Sequence, residues 1–74
     1  MEAKEMFFII GYDLLKTESD KEAMFYKYRY LDCSIQFWFK EKKVYLKNIS
    51  HLTTSEINAI YKQSEELGWS YEGL

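Results

Sequence analysis

One histidine, one cysteine and a scatter of carboxylates are all this chain has for acid–base or covalent chemistry. To act as a general base, His51 would need an orienting carboxylate and a nucleophile within reach. Asp32, Cys33 and Ser50 are the local candidates, and nothing in their spacing brings Cys33 to His51. Cys33 falls in a turn beside an acid, a setting that does not activate a thiol. Glu65 and Glu66 are neighbours on a helix and cannot both face one site, so a solvated face accounts for them. Three scattered glycines make no phosphate-cradling loop. One cysteine and one histidine are too few for four-ligand zinc. The expectation is no catalytic residue, no metal, no cofactor and no enzymatic activity.

Binding chemistry is better represented. Between residues 27 and 47, Trp38 and Tyr45 lie among cations, and the set Lys27, Arg29, Gln36, Trp38, Lys40, Lys43, Tyr45 and Lys47 shares one parity when the strands are paired. Trp, Tyr and Arg dominate interface hot spots, and a basic rim steers toward an acidic surface. Aromatics ringed by cations also suit single-stranded nucleic acid, where bases stack and cations follow the phosphates. The plainer account is that lysines solubilise an exposed sheet while Trp38 and Tyr45 form a stabilising cross-strand pair.

The elements that would position this face are two strands with period-two alternation. Residues 34–40 put Ile35, Phe37 and Phe39 on one side; residues 43–49 put Val44 and Leu46 there. Pairing across Glu41-Lys42 sets Phe39 opposite Val44, Trp38 opposite Tyr45 and Phe37 opposite Leu46. Because Glu-Lys lacks the Gly or Asn of a tight primed turn, a four-residue loop is favoured. Residues 24–31 pair next across Asp32-Cys33, with Tyr30, Tyr28 and Tyr26 facing Ile35, Phe37 and Phe39, and Lys27 opposite Trp38. A one-residue slip would scatter the apolar groups over both faces.

Residues 20–31 read two ways. Ser19-Asp20-Lys21-Glu22 is a capping-box pattern that could open a helix, whereas the alternation and aromatic content of 24–31 suit a strand, which is preferred. The near-continuous apolar run 6–12 reads as a buried strand, with Gly11 marking a bulge or close approach. A helix follows Thr53-Thr54-Ser55-Glu56, a capping box with Leu52 and Ile57 at hydrophobic-staple spacing. Its apolar stripe is Ile57, Ile60, Tyr61 and Leu67, and Gly68 ends it with Trp69 as hydrophobic follower. Residues 69–74 form a short tail with two aromatics and Gly73, which either packs on the sheet edge or adds a strand.

The fold expectation is therefore α+β: an antiparallel meander of about four strands with one C-terminal helix on its apolar face, all in one domain of 74 residues. So small a domain buries only about 60% of its unfolded surface. Seven tyrosines, five phenylalanines and two tryptophans exceed what one helix on a small sheet can hide, which points toward a homodimer or a partner face. The charge is uneven: residues 25–49 carry six basic groups against two acids, while both flanks are acidic. Glu56, Glu65 and Glu66 offer an opposite-signed patch on the helix.

The run 6–10 is too short for a secretory signal, no apolar run spans a membrane, and a lone thiol fits a reducing compartment, so the expected location is cytoplasmic. The functional expectation is a non-enzymatic protein-binding module, an inhibitor or regulator of the phage or mobile-element kind, acting on a protein with an acidic surface. Binding of single-stranded nucleic acid through Trp38 and Tyr45 is the alternative.

Overall fold

The computed structural model describes residues 1–16 and 19–69. The elements in order are α1 (Ala3–Ile9), β1 (Tyr12–Leu14), β2 (Ala23–Tyr28), β3 (Ser34–Trp38), β4 (Lys43–Lys47) and α2 (Thr54–Glu66). The strands form one antiparallel meander in the order β1-β2-β3-β4. The two helices pack on each other, and α1 also packs on β1. The α+β meander with a C-terminal helix is as expected; the N-terminal helix is an addition.

That addition corrects the reading of 6–12 as a strand. Ala3, Met6, Phe7 and Ile10 recur at helical spacing and turn inward, Ala3 and Phe7 fully buried, whereas Phe8 and Ile9 are exposed. Only the last residue of the run, Tyr12, is a strand residue. Between the two elements Gly11 holds φ at +103°, and a Cβ there would come within 2.7 Å of the Tyr28 ring. Gly11 is thus a close approach and a left-handed corner, both of which require glycine.

The strand at 23–28 resolves the second ambiguity. Asp20 Oδ1 accepts from the N–H groups of Glu22 and Ala23, and Ser19 Oγ accepts from Phe25 N–H at 2.9 Å. The polar side chains that could have capped a helix close the β1–β2 connection instead.

Parity survives but register shifts. β2 and β3 pair with Tyr26 opposite Ile35 and Met24 opposite Phe37, four residues from the expected alignment. The expected Lys27–Trp38 pair is replaced by Lys27–Ser34 and Ala23–Trp38. β3 and β4 are displaced by two: Phe37 faces Val44, Gln36 faces Tyr45, and Trp38 faces Lys43. The cause lies in the turns. A longer connection, residues 29–33, replaces the two-residue turn, and the loop 39–42 closes through Lys42 at φ +53°. Even shifts keep the paired side chains of β2, β3 and β4 on their expected faces. Tyr30, expected inward opposite Ile35, instead falls in the 29–33 connection and is exposed.

The core sits between the sheet and the helices. Phe7 stacks on Tyr26 at 4.0 Å between ring centroids and meets Tyr12 and Phe37 edge-on. The Thr53 capping box forms as expected: Glu56 N–H donates to Thr53 Oγ1 at 3.1 Å, and Thr53 N–H to Glu56 Oε1 at 2.7 Å. Gly68 at φ +76° closes α2, with Trp69 N–H donating to Ser64 O and Gly68 N–H to Glu65 O, the paired bonds of a Schellman stop. The expected stripe is rotated, however. Ile57 and Tyr61 are half exposed, while Ala59, Gln63 and Ser64 are buried. Gln63 goes inward because the Tyr26 hydroxyl donates to its Oε1 at 2.5 Å, and Ser64 because its hydroxyl returns to Ile60 O. Trp69 lies 6.1 Å from Phe37, and the rest of the expected tail lies outside the described residues.

Candidate functional site

With both helices on one side, the other face of the sheet is open. β3 sends Ser34, Gln36 and Trp38 to this face; their cross-strand neighbours are Lys27, Phe25 and Ala23 on β2 and Lys47, Tyr45 and Lys43 on β4. Three side chains along β3 are tied in series: Trp38 Nε1–H donates to Gln36 Oε1 at 3.2 Å, and Gln36 Nε2–H to Ser34 Oγ at 3.1 Å. The Phe25 ring lies 5.9 Å from the indole and tilted to it. Tyr45, next to Gln36, is 52% exposed.

Two shallow depressions flank Gln36. One, of about 290 Å³, is lined by Gln36, Trp38, Glu41, Lys43 and Tyr45. The other, of about 330 Å³, is lined by Leu15, Phe25, Lys27, Asp32, Ser34, Gln36 and Lys47.

The eight residues that sequence reasoning assigned to this face divide into two groups. Gln36, Trp38, Lys43, Tyr45, Lys47 and Lys27 come together on it. Lys27 bends toward the 29–33 connection, its Nζ donating to Leu31 O at 3.1 Å and facing Asp32 at 3.3 Å. Lys43 and Lys47 have no ion pair among the described residues. Lys40 lies in the 39–42 loop. Arg29 lies past the end of β2 and is committed elsewhere: its guanidinium donates to Asp13 Oδ1 and to Phe8 O, both at 2.6 Å, and covers the Phe8 ring at 4.6 Å. Arg29 fastens the end of α1 to the first strand.

The acidic patch on α2 is likewise divided. Glu56 Oε2 accepts from the buried Tyr12 hydroxyl at 2.6 Å, and Glu66 Oε2 accepts from Ala3 N–H at 2.8 Å, capping α1. Partial burial raises the Glu56 carboxyl, but the bonds from Tyr12 and Thr53 outweigh it and hold the group below its ordinary value. Burial, then the Glu56 carboxylate, pushes the Tyr12 hydroxyl far above the usual tyrosine range; burial and the Glu66 charge do the same for Tyr26. These groups are structural links between helix and sheet.

Sequence reasoning missed a second exposed surface. Phe8, Ile9, Tyr30 and Leu31 are each at least 60% exposed where α1 meets the 29–33 connection. The helical period of residues 3–10 would have revealed it, because that period turns Phe8 and Ile9 outward. His51 is exposed ahead of α2, and Cys33 is buried at the start of β3. No group of three or more His, Cys, Asp or Glu among the described residues could hold a metal ion, and no helix there is long and apolar enough to cross a membrane. No known family, curated protein or solved structure shows a significant match to the chain.

Proposed function

We propose that this chain is a non-enzymatic protein-binding module that presents the open face of its sheet to a partner with an acidic surface. The observation behind this reading is the half-exposed Tyr45 ring beside the fixed Gln36–Trp38 pair, flanked by Lys43 and Lys47 with no acid paired to them among the described residues. A pre-ordered aromatic centre with a charged rim is what an interface hot spot requires, because little side-chain freedom remains to be lost on binding. The same reading makes the chain an inhibitor or regulator that acts by occupying a larger protein's surface.

Single-stranded nucleic acid is a second reading, drawing on Tyr45 between its two lysines. Glu41 in the same depression and Asp32 beside Lys27 count against it, since both repel phosphates.

The test is comparative capture from a native lysate with wild type and Tyr45→Ala. Truncating a hot-spot tyrosine costs on the order of 2 kcal/mol, so retained partner should fall well over tenfold. An unchanged partner set would remove the face from the role. Oligonucleotide binding that weakens steeply with salt and vanishes in Tyr45→Ala would favour the second reading.

A further inference from the structure

We infer that β4 is a docking edge that takes an extended, acidic segment of a partner protein as a fifth strand. This rests on the binding reading above and adds the mode of engagement and the chemistry of the segment.

Hydrogen bonding along the sheet fixes which way β4 presents its backbone. Tyr28 N–H donates to Cys33 O and Phe39 N–H to Glu22 O, so the odd residues of β3 bond to β2. Alternation along an antiparallel ladder then leaves Ser34, Gln36 and Trp38 to bond their partners Lys47, Tyr45 and Lys43 on β4. Val44 and Leu46 turn their N–H and C=O groups outward, and among the described residues no strand pairs with them. Lys42 and Asn48, both at positive φ, turn the chain at either end, so the open edge is five residues long.

Charge selects the occupant. In the antiparallel register that uses the whole edge, a second copy of β4 would set Lys43 opposite Lys47 twice, and like charges directly opposite destabilise a pair. A segment with acids four residues apart would instead meet both lysines. The residue between those acids would lie beside Tyr45 and its depression, where an aromatic fits. The two remaining side chains would continue the apolar side formed by Val44 and Leu46, which both pack against the core. The recognised pattern is acid–apolar–aromatic–apolar–acid, held by main-chain bonds as in other strand additions.

The probe is the capped peptide Glu-Val-Phe-Val-Glu, with Lys-Val-Phe-Val-Lys as control, read by amide hydrogen exchange on the whole chain. The Val44 and Leu46 amides should slow by about tenfold or more with the acidic peptide, as free edge groups become bonded. Lys43→Glu with Lys47→Glu should lose the acidic peptide and take the lysine peptide, which also shows that the variant is folded. Shifts at Trp38 and Tyr45 with unchanged exchange at Val44 and Leu46 would overturn the strand addition while leaving the face as a binding site. Absence of binding would overturn it too, with the lysate comparison judging the face independently. Protection that rises with protein concentration alone would identify a second copy as the occupant and overturn the acidic segment.

Discussion

The two sides of the sheet are made from the same strands, yet they treat their side chains in opposite ways. On the helix side, Phe7, Tyr12, Tyr26, Ile35 and Phe37 are almost completely excluded from water, and both buried hydroxyls donate to α2. No buried side-chain polar atom among the described residues lacks a partner. On the other side, Trp38 is half covered, Tyr45 is half exposed, and two lysines have no counter-ion among those residues. Burial of apolar area and complete hydrogen bonding stabilise the first side. The second side retains bonding capacity that folding does not use, as a recognition surface does.

Phe7→Ala should open the widest gap between the sides. Its ring lies at the centre of the aromatic stack, so the loss is about 3–5 kcal/mol, enough to leave so small a domain largely unfolded. Urea denaturation against Tyr45→Ala, whose ring is on the solvent side and should change stability by less than about 0.5 kcal/mol, measures the contrast. Comparable losses in both variants would erase the distinction. Gly11→Ala should follow at roughly 2–3 kcal/mol, because alanine must accept a positive φ and press on the Tyr28 ring. Tyr26→Phe should cost about 1–3 kcal/mol by leaving Gln63 buried without its donor, and Tyr26→Phe with Gln63→Leu should recover part of that loss.

Acid–base titration sharpens the contrast more gently. Glu56 is held below its ordinary 4.5, so its contribution is complete above that pH and is lost as acid protonates it. Tyr12 and Tyr26 are raised above 10.0, so theirs is complete below pH 10.0 and is lost as alkali deprotonates the unfolded chain and then the folded one. Stability followed by circular dichroism should therefore fall at both extremes. Glu56→Gln should flatten the acid limb, and an unaltered limb would show that the Tyr12–Glu56 link is not what titrates.

Much of the architecture was legible because alternation and capping are local. The strand parities of 24–28, 34–38 and 43–47 and both ends of α2 follow from neighbouring residues alone. Register was not legible, since it depends on how the 29–33 and 39–42 connections close, and neither contains the glycine that would mark a tight turn. α1 was misread because Phe8 and Ile9 fill the gaps in its inward stripe, and because the local Glu2–Glu5 capping box at its start is joined by a bond from Ala3 N–H to Glu66, 63 residues away. The rotation of α2 was hidden for a related reason: Gln63 looks like a surface residue until Tyr26 is opposite it. Of the candidate site, Gln36, Trp38, Lys43, Tyr45 and Lys47 were readable from parity. The diversion of Arg29 to Phe8 and Asp13 needed the third dimension.

On the proposed function, stability resides on one side of the sheet and recognition on the other. The most direct test is a Lys43→Glu, Tyr45→Ala, Lys47→Glu variant, assayed for its urea midpoint and for partner retained from a native lysate in the same preparation. The account predicts a midpoint near that of wild type with the partner lost. A collapsed midpoint, or an intact midpoint with the partner still held, would contradict it.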